Sequence, residues 1–168
     1  MGRTQNLRDY TPLLAALKPG ANDTETMQRT VDALWLAFAS QGWSWVGFYL
    51  VTQDDPSEMI LGPRRDKPAC SPIGLHGCCG RSYLSRRPLV VRDVKVMGAE
   101  YIACDPRDVS EVVVPCLNPD GTAWGVLDVD SFNLGEFDET DALCLQRLLR
   151  HVGLSAHNAE DRGQIEII

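Results

Sequence analysis

The stretch SEVVVPCLNPDGTAWGVLDVDS, residues 110–131, limits the fold more than any other part of the chain. Two runs rich in β-branched and aromatic residues flank Asn118-Pro119-Asp120-Gly121, and an Asp-Gly step between such runs marks a β-hairpin. Two adjacent antiparallel strands are therefore expected here. WSWVGFYLV (43–51) reads as a strand on the same grounds, EMILG (58–62) as a short second strand after the turn TQDDPS, and PLVVRDV (88–94) as a third candidate. Helical spacing brackets these strands. Met27, Val31, Leu34, Trp35 and Phe38 recur at three- and four-residue steps over 24–40, with Gly42 as the stop. A second helix starts at Asp138, a candidate N-cap, and runs to about Asn158 with Leu145, Leu148, Leu149 and Val152 on one side. Residues 62–80 form a long Gly/Pro-rich loop before a helical signal at 81–87, residues 94–110 a second irregular stretch, and EDRGQIEII (160–168) a loose tail. Hairpins without βαβ crossovers predict an antiparallel sheet covered by helices, an α+β fold. At 168 residues, a single domain over 1–168 is expected, its core at about 24–155.

A net charge of −7 and a pI near 4.9 argue against a cationic groove for nucleic acid. No apolar run reaches the roughly 18 residues of a membrane span, and the N-terminus lacks the apolar block of a signal peptide. A cytoplasmic protein without membrane attachment is expected. MGRTQN loosely matches an N-myristoylation sequence but carries Asn6 where Ser or Thr belongs. A reducing compartment keeps the six cysteines at 70, 78, 79, 104, 116 and 144 as thiols unless chemistry intervenes. No Cys-x-x-Cys pair occurs, so neither a metal nor a cofactor is expected.

Strand parity then groups chemical residues. Trp45, Gly47 and Tyr49 share one strand face, two aromatics flanking a glycine, which suggests a flat recess for a small ligand as well as a simple packing face. Asp128 and Asp130 share a face of the second hairpin strand, where mutual repulsion and partial burial push one carboxyl toward its protonated, proton-donating form. Glu111 opens the neighbouring strand and is expected to converge on the pair. Cys104 lies in a polar loop, whereas Cys116 and Cys144 sit in apolar periodic segments and read as structural. Cys79 opens a helix, where free N–H groups favour a thiolate or accept a ligand carboxylate. A zinc site from Cys70, Cys79, Cys104 and His76 lacks standard spacing.

Taken in order, WVGFYL, LGP…KPAC, GCCG, YIACD, SEVVVP and GVLDVDS resemble the free methionine-(R)-sulfoxide reductases, small enzymes built on a GAF domain. The resemblance covers about residues 24–155. It implies a GAF-like sheet of about six strands with helices on both faces, and usually a homodimer. It implies reduction of free methionine sulfoxide to methionine, through a sulfenic acid and a disulfide recycled by thioredoxin. By motif, Cys104 is the attacking thiol, Cys70 the resolving partner and Cys79 an accessory one. Glu111, Asp128 and Asp130 match the acidic site positions, Asp93 matches more weakly, and Trp45 and Tyr49 match the aromatic wall. This chain departs from the pattern in having Cys78 where an aliphatic residue is usual, a loop one residue shorter before it, and an extra residue before YIACD. The partner of Cys104 therefore stays open among Cys70, Cys79 and Cys78. Two rival classes remain, a non-catalytic GAF sensor of small ligands or redox state and a zinc-binding structural protein.

Overall fold

The computed structural model describes residues 8–156 and 164–168 of the chain. Helices α1 (Thr11–Ala16) and α2 (Asp23–Phe38) lead into strands β1 (Trp43–Val51), β2 (Glu58–Arg65) and β3 (Ile73–Gly74). Helix α3 (Cys78–Ser85), strand β4 (Leu89–Val91), a 3-10 stretch (Val94–Glu100), strands β5 (Ser110–Leu117) and β6 (Ala123–Ser131), helix α4 (Glu139–His151) and strand β7 (Glu166–Ile167) follow. The strands form one sheet in the order β3-β2-β1-β6-β5-β4-β7. All pairs are antiparallel except β4 with β7. The predicted hairpin is thus β5–β6, at the centre of the sheet beside β1.

Alternation along these central strands makes two apolar layers. Val46, Phe48, Val112, Val114, Leu127 and Val129 face the stripes of α2 (Val31, Leu34, Phe38) and α4 (Leu145, Leu148, Leu149). The opposite parity sends Trp45, Tyr49, Val113 and Val126 against α3 and the 3-10 stretch. Helices therefore cover both faces, and burying either layer supplies roughly 1.5–3 kcal/mol per large apolar side chain. Helix α4 begins at the predicted Asp138, whose carboxylate accepts the Thr140 and Asp141 N–H groups. The helix ends at His151, where Val152 caps it and Gly153 turns the chain at φ 78°, short of the expected Asn158; residues 157 and 158 lie outside the described residues, as does the MGRTQN segment.

The sheet has seven strands, not about six. Two strands stand where the sequence predicts none: β3, which pairs with β2 inside the 62–80 stretch expected to be all loop, and β7 in the tail expected to be loose, which pairs with the free edge of β4 through Glu166 N–H to Pro88 O and Ile168 N–H to Val90 O, each 2.9 Å. Arg81 of α3 pairs with Glu166 and fastens the tail to that helix. The chain before α2 also contributes, with Tyr10 buried against Phe38 and donating to Asp141 at 2.7 Å. No helix among the described residues is long and apolar enough to cross a membrane.

Candidate active site

Register places the acidic residues side by side. Asp130 lies opposite Trp45 on β1 and Glu111 on β5, while Asp128 lies opposite Gly47 and Val113. Trp45, Gly47, Tyr49, Asp128, Asp130 and Glu111 thus share one face, as strand parity predicts. The carboxylate oxygens of Glu111, Asp128 and Asp130 come within 4.8 Å of one another. They floor a cleft of about 440 Å³, partly open to solvent, whose walls are Trp45, Tyr49 and Tyr101 and the start of α3.

This floor is short of counter-charge. Glu111 Oε1 and Asp128 Oδ1 are buried without a hydrogen-bond partner. Burial is the largest cause raising all three carboxyls above their ordinary range; for Asp128 the Glu111 charge adds to it, and for Asp130 the charges of Asp128 and Glu111 do. Hydrogen bonds from Asp130, Cys78 and Asp128 pull Glu111 back down, whereas the bonds to Glu111 push the two aspartates further up. Glu111 therefore ionises first, and Asp128 and Asp130 hold their protons well above the ordinary carboxyl range. Repulsion between neighbours, the cause expected from strand parity, is second to burial.

Trp45 and Tyr49 do more than line a wall. The Trp45 indole donates to Lys67 O at 2.9 Å and the Tyr49 hydroxyl to Cys70 O at 2.8 Å, so the two aromatics anchor the loop that carries Cys70. Gly47 is required beneath the indole: a Cβ there would sit 2.3 Å from a Trp45 ring carbon. The recess predicted over Gly47 is accordingly filled by the ring itself.

Cys70 and Cys104, 34 positions apart, are joined by a disulfide with Cα atoms 5.5 Å apart, and both residues are exposed at the mouth of the cleft. Of the three candidate partners, the one bonded to Cys104 is Cys70; Cys78 and Cys79 are free thiols. The zinc arrangement fails in this state because two of its four ligands are bonded to each other. Asp105, next to Cys104, pairs with Lys67 from the Cys70 loop and with Arg107 at 2.9 Å. Hydrogen bonds from Arg107 and then Lys67 hold its carboxylate well below the usual range. The acidic surroundings of Cys104 are thus split: Asp105 is neutralised by cations, and the buried acids face the cleft.

Two further expectations change. Cys79 sits at the start of α3, yet burial and then Asp128 and Glu111 push its thiol well above the ordinary range, outweighing the helix terminus. It remains a thiol, buried beside Asp128. Asp93 is not in the cleft lining; it caps the 3-10 stretch by accepting the Lys95 N–H at 3.0 Å. Asp108, Tyr101 and Ile102 line the cleft without having been singled out. Asp108 is buried, accepts from Ser44 at 2.7 Å, and has its carboxyl raised chiefly by burial. Loop residues carry no periodicity that aims their side chains, and nearness to Glu111 in the chain was its one signal.

A helix-covered antiparallel sheet with a cleft on one face between α3 and two loops is the GAF arrangement, and residues 24–156 match the GAF domain family. The chain is 34% identical over 113 residues to the free methionine-R-sulfoxide reductase of Saccharomyces cerevisiae, covering 67% of this chain and 62% of that protein. It therefore spans under two thirds of the yeast protein's length, and likewise 65% of GAF domain-containing protein A of Dictyostelium discoideum. The structure of fRMsr of Staphylococcus aureus in its reduced form superposes with a TM-score of 0.77 at 32% identity, over 90% of this chain and 97% of that one. The free methionine-R-sulfoxide reductase from Neisseria meningitidis, solved in complex with its substrate, gives 0.72 at 38% identity over 83% and 79%. Within the GAF domains, the chain belongs to the free methionine-R-sulfoxide reductase family.

Proposed function

We propose that this protein reduces free L-methionine-(R)-sulfoxide to L-methionine, with Cys104 as the attacking thiol and Cys70 as the resolving one. One observation carries the reading: an exposed Cys70–Cys104 bridge stands at the mouth of a cleft floored by buried carboxyls that lack a counter-charge. A sulfoxide needs a nucleophile on sulfur and a proton donor on oxygen, and an amino acid brings the ammonium that the floor lacks.

In the reduced protein, Cys104 attacks the sulfoxide sulfur while an aspartic acid protonates the departing oxygen. Asp130 suits this task, because it borders both the main cleft and a smaller one shared with Cys104 and Lys67. The oxygen passes to Cys104 Sγ as the S–O bond and the transient bond between the two sulfurs break, the thiol's own proton replacing the one the aspartic acid gave, so methionine leaves and Cys104 holds the oxygen as a sulfenic acid. The Cys70 thiol then displaces that oxygen as water, forming the disulfide. A dithiol reductant, for which we propose thioredoxin, returns both cysteines to thiols. Ionised Glu111, with the Asp128 carboxyl beside it as a further acceptor, takes the substrate ammonium, the uncapped N–H groups at the start of α3 its carboxylate, and Trp45 and Tyr49 its side chain. Cys79 serves as an accessory thiol that keeps Asp128 oriented. We place this cycle in the cytoplasm and in a homodimer, following the family resemblance and the thiol chemistry.

An assay coupling NADPH oxidation to thioredoxin, run with the separated diastereomers of free methionine sulfoxide, tests the reading. The R form is expected to be consumed and the S form left. Equal rates on both would overturn the R assignment, and no oxidation with either while a copurified ligand occupies the cleft would favour the sensor instead.

A further inference from the structure

The chemistry above leaves the outer rim of the cleft without a task. Phe132 opens the loop after β6, and its ring meets two cations, the Arg107 guanidinium at 4.6 Å and the Lys67 ammonium at 5.0 Å. Both cations also bind Asp105, the neighbour of Cys104, and Lys67 lies three residues before Cys70. The ring therefore sits over the junction of the two loops that the disulfide joins. It remains 43% exposed, and Leu134 two residues on is 69% exposed. An isolated exposed apolar side chain needs no explanation. This one adjoins an exposed disulfide, whose reduction requires electrons from outside, and its stacked cations fix it so that covering it costs little freedom. Two cations pair with the Asp105 carboxylate, and the other acid they face, Asp108, is buried behind them, so the outward side of this rim presents Lys67 and Arg107 on a chain of net charge −7. Such a rim selects a partner with acidic groups.

We propose that Phe132, Leu134, Lys67 and Arg107 form the docking surface for a protein dithiol reductant that carries an apolar collar around its thiols and acidic groups beside it. The inference rests on the proposed function only in assigning this reduction to a catalytic cycle. A reductant thiolate attacks one sulfur of the Cys70–Cys104 bond and forms a mixed disulfide as that bond breaks. The reductant's second thiol then breaks the mixed disulfide. The reductant ends as a disulfide and the two cysteines as thiols, so two electrons and two protons balance.

The test uses the oxidised full chain as wild type, Phe132→Ser and Leu134→Asp, and measures second-order rate constants for disulfide reduction by thioredoxin and by dithiothreitol. Both variants are expected to slow the thioredoxin reaction about five- to tenfold and leave the dithiothreitol reaction unchanged. The wild-type thioredoxin rate should also fall with added salt. Unchanged thioredoxin rates in both variants overturn the proposal, and so does an equal loss with both reductants, which marks a structural role. Methionine sulfoxide never enters this experiment, so its result stands apart from success or failure of the reductase assay.

Discussion

Cys104→Ser is expected to lower thioredoxin-coupled turnover of methionine sulfoxide by about 10⁴-fold or more, because removing a covalent nucleophile leaves only binding and polarisation. Serine keeps the size of the side chain, and Cys104 is exposed in a loop, so the fold has no reason to fail. Thermal unfolding should therefore change little against a dithiothreitol-treated wild type, which lacks the disulfide too. Cys79→Ser provides the contrast. Its thiol is buried beside Asp128 and Glu111 and unbonded to Cys104, so its loss should cost far less turnover and leave the Cys70–Cys104 bridge able to form. Steady-state rates for the two variants decide the matter, and comparable losses would move the chemistry away from Cys104.

Asp128→Asn is expected to exchange activity for stability. Turnover should fall about 10²–10⁴-fold, the range for removing an acid or charged anchor from such a site. Stability should rise at neutral pH. The folded protein holds this carboxyl's pKa well above its ordinary value, chiefly by burial. Between the unfolded and folded pKa values the native state binds more protons than the unfolded chain, so stability is greatest at low pH and declines as pH rises through that window. An amide cannot ionise, and its N–H group gives the cluster a donor. The gain is expected to be about 1–3 kcal/mol at pH 7, several degrees in Tm for a chain of this size, with a flatter dependence of Tm on pH above about 4.5. Thermal unfolding across pH 4–8, set beside the kinetics, checks both halves. A destabilised variant would mean that Asp128 is a charged structural group in the resting protein.

The central geometry was legible because it rests on strands. A period of two places Trp45, Tyr49, Asp128 and Asp130 on one face once β1 and β6 are neighbours, and Asp120-Gly121 sets the hairpin that brings Glu111 opposite Asp130. Loops offer no such rule. Resemblance alone points to the partner of Cys104, and no sequence pattern marks Asp108, Tyr101 and Ile102, which complete the cleft. Cys79 shows a different limit: its position at a helix start was readable, but the acids that overrule the helix terminus come from strands over 30 residues away. The tail misled for a related reason. Residues 166–167 form a strand because β4 offers an unpaired edge and Arg81 offers a charge to Glu166, neither visible within the segment.

The central claim is that Cys104 takes the oxygen from a substrate held in this cleft. It is tested most directly by mixing reduced Cys70→Ser protein with excess free methionine-(R)-sulfoxide, without thioredoxin, in the presence of a sulfenic-acid trap. The account predicts one methionine released per chain, then arrest, with the trap found by peptide mass spectrometry on Cys104. Continued turnover, or release of methionine with the trap on another cysteine, would contradict it.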